Sequence, residues 1–310
     1  MSGRKSSPKM SLAGGSPFAR VGFACVTYQL GLSTNRTFRL RNLSPERMAQ
    51  TTGQNLDDLE AILEWMEPRG RRMFRIGSSL VPFASHEQAT WDWTECCAER
   101  LAAIGSKYAP RGFRFSLHPG QFTLLGSPEA GVAERSLAEF RYACRVLDLM
   151  GMGDEHKVVL HAGGVYGDRA ASVARLVAAI AKLPAEQRAR LVLENDEGQY
   201  HLGDIVAICE TTGASAVFDL HHHELHPVEN VERWLPRAAA TWTSRPKVHL
   251  SSQMPGSRAG THDVMIRRED FDSLAALLPF EADLMLEAKG KEQAALEVLT
   301  WRNEAATSRP

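Results

Sequence analysis

Residues 217–223 read Val217-Phe218-Asp219-Leu220-His221-His222-His223. The first four have the composition of a parallel strand covered on both faces, with a carboxylate near its end. The last three set nitrogen donors where such a strand would leave its sheet. Burial alone does not call for imidazoles at that point, so the informative comparison is with the ends of the other apolar runs. Met73 to Ile76 leads through Gly77, Ser78 and Ser79 to His86; Gly112 to Leu117 is followed by His118, and Lys157 to Leu160 by His161. Arg190 to Leu193 ends in Glu194, Asn195 and Asp196, Lys247 to Leu250 contains His249, and Ala282 to Leu286 ends in Glu287.

With Val21 to Val26 in front and Ala214 to Leu220 carrying the opening stretch, these runs make eight strand candidates. Helical periodicity fills the intervals, near Asn55–Glu67, Trp91–Tyr108, Val132–Met150, Ala170–Ala181, Leu202–Thr212, Val228–Ala240, Glu269–Leu278 and Lys291–Thr300. Regular alternation of this kind predicts an α/β fold, a single-domain (β/α)8 TIM barrel, in preference to a doubly wound open sheet. The glycine pairs at Gly14 and Gly163 lack the spacing of a dinucleotide-binding loop. The expected organisation is a flexible leader over 1–19, the barrel over 20–303 and a flexible tail over 304–310.

A formal net charge of -1, from 36 basic and 37 acidic residues, excludes a bulk polycation and leaves only a local patch for nucleic acid. Cys25, Cys96, Cys97, Cys144 and Cys209 are odd in number and show no CxxC spacing, which speaks against a disulfide scaffold or a thiolate zinc site. No run approaches the roughly 18 apolar residues of a membrane span. The chain thus reads as a cytoplasmic monomer, nucleoid-associated if its source is bacterial.

In a barrel the carboxyl ends of the strands meet at one mouth. His86, His118, His161, Glu194, Asp219, His222, His249, His262 and Glu287 therefore converge, more donors than one ion takes, and suit two or three ions. Mixed nitrogen and oxygen donors favour zinc or manganese over magnesium or calcium. Neighbouring ions serve phosphodiester hydrolysis and sugar isomerisation alike, so the donors alone leave both open. Strand alternation would turn His221 and His223 away from His222, towards solvent or a supporting contact behind the ligands. His226 reads as a loop residue, and His156 precedes its strand and belongs at the opposite face. Lys247 lies two positions before His249 and shares its face, where an ammonium beside metal ions must be neutralised, paired or modified. Arg36, Arg39, Arg41, Arg258, Arg267 and Arg268, with Tyr28, Phe38, Phe122 and Tyr166 between them, offer phosphate contacts and stacking surfaces.

The motifs T-N-R-T at Thr34, S-S-L-V-P-F-A-S-H ending at His86, S-L-H-P-G-Q ending at Gln121, L-H-A-G-G from Leu160, L-E-N-D from Leu193, D-L-H-H-H from Asp219, K-V-H-L-S from Lys247 and T-H-D from Thr261, with the strand end at Glu287, together resemble the ultraviolet-damage endonuclease family. The resemblance runs from about Arg20 to Gly290. It implies a barrel like those of endonuclease IV and xylose isomerase, acting on damaged double-stranded DNA by cutting 5′ to ultraviolet photoproducts. The implied cofactors are two or three divalent ions, manganese first, with zinc or magnesium as alternatives. The nine donors above become the ligands, Glu194, Lys247 and His249 the catalytic set, and Lys247 matches a lysine that the family can carboxylate. Gln121 and Phe122 match a pair that probes the damaged dinucleotide. Phe23 and Thr27 stand where the family has a tyrosine and an asparagine, and with Arg36 and Arg258 they complete the expected lesion-binding layer. A sugar isomerase, an abasic-site or small-phosphate hydrolase, and a noncatalytic damage-binding protein are the competing readings.

Overall fold

The computed structural model describes residues 16–307. Eight parallel strands close into a barrel: β1 (Phe18–Ala24), β2 (Met73–Ile76), β3 (Arg114–Leu117), β4 (Lys157–His161), β5 (Leu191–Glu194), β6 (Ser215–Asp219), β7 (Lys247–Leu250) and β8 (Ala282–Leu286). Each pairs with its neighbours in sequence, and β8 returns to β1. The helices are α1 (Pro45–Met66), α2 (Ala98–Tyr108), α3 (Ala130–Leu149), α4 (Arg169–Ala181), α5 (Ala185–Arg190), α6 (Leu202–Thr212), α7 (Leu220–Leu225), α8 (Val231–Ala240), α9 (Arg268–Leu277) and α10 (Glu292–Thr307). The (β/α)8 barrel read from the alternation is the fold that forms. Strand β1 starts within the segment expected as a leader and α10 runs into the expected tail; the rest of both segments, 1–15 and 308–310, lies outside the described residues.

Several boundaries differ from expectation for local reasons. Helix α1 begins ten residues before Asn55, because Ser44 accepts a hydrogen bond from Arg47 N and Pro45 opens the helix. Its early turns bury Thr51, Thr52 and Asn55 with Met48 as the one apolar residue among them, too little for periodicity to register. Asn55 then fastens two loops, accepting from Arg36 N and donating to the carbonyls of Arg36, Ser79 and Leu80. His221, His222 and His223 do not continue a strand; they lie in α7, whose start Asp219 caps by accepting from His222 N at 2.8 Å.

Parallel register puts laterally paired residues on the same face of the sheet. Gly22 pairs with Met285, Met285 with His249, and His249 with Asp219; Ala24 pairs with Arg75, Arg75 with Ser116, and Ser116 with Lys157. These residues line the barrel interior. Val159, Val192 and Val217 pack there with Trp242, which closes the amino-terminal end and donates its indole N–H to Ala216 O at 2.7 Å. Below His249 on the same interior row lies Lys247, fully buried beside Asp283, while Arg114 reaches Asp283 Oδ2 at 2.6 Å. Intervening residues face the helices and form the main core. Phe23 and Phe74 pair on that outer face, ring edge to ring face with centroids 5.4 Å apart.

His156 sits before β4, at the end of the barrel away from the strand tips, where its Nδ1 accepts from Phe115 N at 3.0 Å. Burial, reinforced by the charges of Arg114 and Arg190, pushes its pKa down from 6.5 to about 3. Between those values the unfolded chain takes up a proton that the folded chain refuses, so this contribution to stability is complete above about pH 6.5 and is lost as the pH falls towards 3. Urea unfolding at pH 7 and pH 5 is expected to show about 2 kcal/mol less pH dependence in His156→Gln than in the unsubstituted protein; identical pH dependence would contradict the assignment.

Candidate metal centre

The strand ends and the loops after them bring His118, His161, Glu194, Asp219, His222, His249, His262 and Glu287 to one mouth. Donor atoms of His118, His161 and Glu194 lie within 4.8 Å of one another, and so do those of Glu194, Asp219, His249 and Glu287. Glu194 belongs to both groups and is wholly buried. His222 enters from α7, its Nδ1 3.7 Å from Glu194 Oε1, and its ring centroid lies 5.9 Å from that of His161 and 6.2 Å from that of His262. His86 is the expected ligand that does not join them. Its loop is folded by successive turns, its Nδ1 accepts from Gln88 N at 3.2 Å, and its ring meets Phe83 edge-on beside a separate cleft.

Hydrogen bonds to backbone fix three of the rings. The Nδ1 atoms of His118, His222 and His262 lie 3.0, 2.9 and 2.9 Å from the carbonyl oxygens of Pro119, Asn195 and Glu287. A carbonyl only accepts, so each Nδ1 carries a proton and each Nε2 points away from the backbone, with a lone pair wherever the ring is neutral. For His118 that lone pair stands 3.0 Å from Glu194 Oε2, an unfavourable approach unless a proton or cation lies between them. Metal bonds of about 2.0–2.2 Å from each atom would span this separation. Asp219 Oδ1 is occupied by the α7 cap, whereas its Oδ2 is buried without a partner among the described residues. These features fit divalent cations bound by mixed nitrogen and oxygen donors. His249 is differently held: Arg75 places Nη1 2.6 Å from Glu287 Oε1 and Nη2 3.0 Å from His249 Nε2. Since a guanidinium only donates, His249 gives its Nδ1 proton to Glu194 Oε1 at 2.8 Å, and ligation through Nδ1 requires Arg75 to release Nε2.

Charge is unevenly balanced in this pit. Burial opposes ionisation of Glu194, but the charge of His249 and the close contacts with His118 and His249 hold its carboxyl well below the usual range. Burial likewise works against Glu287, and Arg75 overrides it. Burial opposes a charged His222 as well, yet Asp219, Glu194 and Glu287 raise it to about 10. The buried carboxylates thus draw positive charge onto whatever base is nearest, which is the condition a divalent cation satisfies.

The expected lesion-binding residues separate into two groups. Gln121 is exposed and lines the mouth, a cavity of about 690 Å³ shared with Tyr166 and Glu197, and Phe122 beside it is 81% exposed. Phe23 and Thr27 require correction: strand parity turns Phe23 into the helix-facing core, and Thr27 is buried in a short ladder after β1, so neither is open to a base. Arg36 is half-buried and bonded to Asp58 and to Ser33 O, Arg267 is paired with Asp270 and Arg268 with Asp272, while Arg258 stays exposed. The three successive histidines do diverge, but by the roughly 100° steps of a helix rather than by strand alternation. His222 faces the centre, buried His221 stands edge-on to His262, and His223 packs on Phe218.

Sequence reading missed Arg75 and Asn195. Asn195 bonds both the N–H and the carbonyl of Asp219 through its amide, locking the ends of β5 and β6 together. An arginine inside the apolar run Met73-Phe74-Arg75-Ile76 was the available signal for the first, since a buried charge needs a partner.

A profile of the family described as UV-endonuclease UvdE matches residues 19–307. The chain is 32% identical over 301 residues to a UV DNA damage endonuclease of Bacillus pumilus, covering 91% of this chain and 92% of that one. It is 31% identical over 292 residues to one of Clostridium perfringens, covering 92% of this chain and 71% of the other. The crystal structure of SacUVDE superposes with a TM-score of 0.87 at 34% identity, over 92% of this chain and 98% of that one. A xylose isomerase domain protein from Planctomyces limnophilus superposes at 0.57 with 14% identity, over 94% and 99% of the two chains, a likeness of fold alone.

Because Glu194 is common to both donor groups, Glu194→Gln is expected to lower the affinity for Mn2+ by at least tenfold in calorimetric titration with the far-ultraviolet circular dichroism unchanged; an unaltered titration would remove Glu194 from the centre.

Proposed function

The chain belongs to the UV-endonuclease UvdE family and is a DNA-repair endonuclease, and from that membership we propose that it cuts damaged double-stranded DNA on the 5′ side of ultraviolet photoproducts at a centre of two or three divalent ions, manganese first. The observation that carries this reading is Glu194, shared between two groups of donors and buried behind the mouth that His161, His222, His262 and Glu287 line. Bound ions there supply activation of water and neutralisation of charge on the phosphoryl group and leaving oxygen. The protein's own part is orientation. Backbone carbonyls hold the rings of His118, His222 and His262, Asn195 fixes Asp219, and Arg75 fixes Glu287. His86, in its separate cleft, is left out of the proposed ligand set.

Damage recognition falls to the rim in this account. Gln121 lines the mouth and the exposed Phe122 follows it on the adjoining cleft, within reach of a duplex laid across the rim, and disrupted stacking at a photoproduct makes displacement of its bases cheaper than in intact DNA. Arg258 is free to meet phosphate, whereas Arg36 is engaged within the protein.

Lys247 completes the proposal. Burial, then the charges of Arg114 and Arg75, hold its amine well below the usual lysine range, and Nζ has no hydrogen-bond partner among the described residues. A neutral amine adds to carbon dioxide to give a carbamate with release of a proton, and the resulting anion would face Arg75 and Arg114. Protein equilibrated with 13C-bicarbonate is expected to show a carbamate carbon signal that Lys247→Met lacks; the same spectrum in both would sink this part of the proposal.

The reaction itself is tested by incision of irradiated, abasic and undamaged duplexes with and without added Mn2+. Cutting confined to damaged duplexes, 5′ to the lesion and abolished by chelation, is expected. Metal-independent cutting, or none on irradiated DNA, would overturn the reading.

A further inference from the structure

Tyr166 occupies a backbone position that tyrosine rarely takes. It lies in the loop between β4 and α4, in a turn closed by Asp168 N donating to Val165 O at 2.9 Å. The two central residues, Tyr166 and Gly167, have φ of +49° and +80°. Positive φ at both is the signature of a type I′ turn, whose positions belong to glycine, asparagine and aspartate. A bulky side chain there is strained, and such strain persists only where the surroundings impose it.

The surroundings do impose it. Ser172 Oγ donates to Val165 O at 2.7 Å, and Asp168 caps α4 by accepting from Ala171 N at 3.0 Å, so both ends of the turn are anchored to the helix. The ring stands close over Gly164, with the Arg175 guanidinium 5.7 Å from its centroid. Arg175 is itself held by Gly126 O and Ser172 Oγ. What this scaffold presents is an aromatic surface, 47% exposed, on the wall of the mouth that Gln121, His161 and His222 also line. Glycine at 166 would relieve the backbone and lose nothing from the core, so folding does not account for the ring.

We infer that Tyr166 is a substrate-contacting stacking platform, on which a base displaced from the duplex rests when the phosphodiester beside it reaches the metal centre. The inference rests on the endonuclease reading above and adds a residue that decides affinity for damaged over intact DNA. Stacking tolerates any base, because it uses the ring face and not hydrogen-bonded edges. Tyr166 on the wall of the mouth and Phe122, next to Gln121 on the neighbouring cleft, then offer two exposed aromatic rings, and the buried Phe23 has no part in recognition.

The test compares Tyr166→Gly and Tyr166→Phe with the unsubstituted full-length protein. Binding to a duplex carrying one thymine dimer and to the same duplex undamaged is read by fluorescence anisotropy in chelator, and incision is read separately with Mn2+. Tyr166→Gly is expected to unfold at the same or higher urea concentration, because its turn is relaxed. It should bind the dimer-containing duplex roughly 5- to 100-fold more weakly, the range of one lost base stack, with binding to undamaged duplex nearly unchanged. Tyr166→Phe should keep the affinity of the unsubstituted protein. Equal affinity in Tyr166→Gly, or a loss in Tyr166→Phe as large as in Tyr166→Gly, would overturn the inference. An unsubstituted protein that neither prefers nor cuts the dimer-containing duplex would instead overturn the endonuclease reading on which it stands.

Discussion

Glu194, Asp219 and Glu287 come together at the bottom of one pit, the first two wholly buried, and their mutual repulsion must be offset. An uncompensated buried carboxylate costs several kcal/mol. Arg75 is the permanent positive charge in contact with this group, reaching Glu287 and His249. Histidines supply the remaining compensation, most plainly His222, whose pKa Asp219, Glu194 and Glu287 raise to about 10 against the effect of burial. The orphaned Asp219 Oδ2 and the facing lone pairs of His118 and Glu194 follow from the same imbalance. Divalent cations resolve all of these at once.

The barrel makes that concentration of charge tolerable by restricting it to one end. Valines from β4, β5 and β6 with Trp242 form an apolar layer in the interior. Beneath the strand tips, Arg114 and Arg20 pair with Asp283 beside the buried amine of Lys247. The helix-facing sides of the strands carry the main core, including Phe23 and Phe74, so the interior is free to hold polar side chains. At the rim, the loop anchored by hydrogen bonds to α4 sets the wall of the mouth that carries Gly164 and Tyr166.

Much of this was legible in the chain because strand ends in a parallel barrel report directly on the site. Alternating apolar runs gave the eight strands, and the polar residues at the strand ends gave donors that the structure brings together in two groups sharing Glu194. The failures have specific causes. His86 lies ten residues beyond its strand, and loop turns rather than strand geometry decide where its ring goes. Phe23 was judged by position in a motif, whereas the pairing of Gly22 with Met285 shows that Phe23 faces the helices. The histidine run diverges as anticipated, but through a helical turn that a single apolar-to-polar boundary did not reveal. Arg75 owes its importance to a buried contact that periodicity does not encode, and Tyr166, one of four aromatic residues the sequence offered for stacking, is singled out only by its positive φ and its place on the mouth.

The central claim is that Glu194 stands between cations held by the two donor groups. Anomalous diffraction from crystals equilibrated with Mn2+, recorded near the manganese absorption edge, tests it without reference to any substrate. Peaks are expected within bonding distance of Glu194 on both of its carboxylate oxygens, one towards His118 and His161 and one towards Asp219 and Glu287. An anomalous map with no peak beside Glu194 would contradict the account.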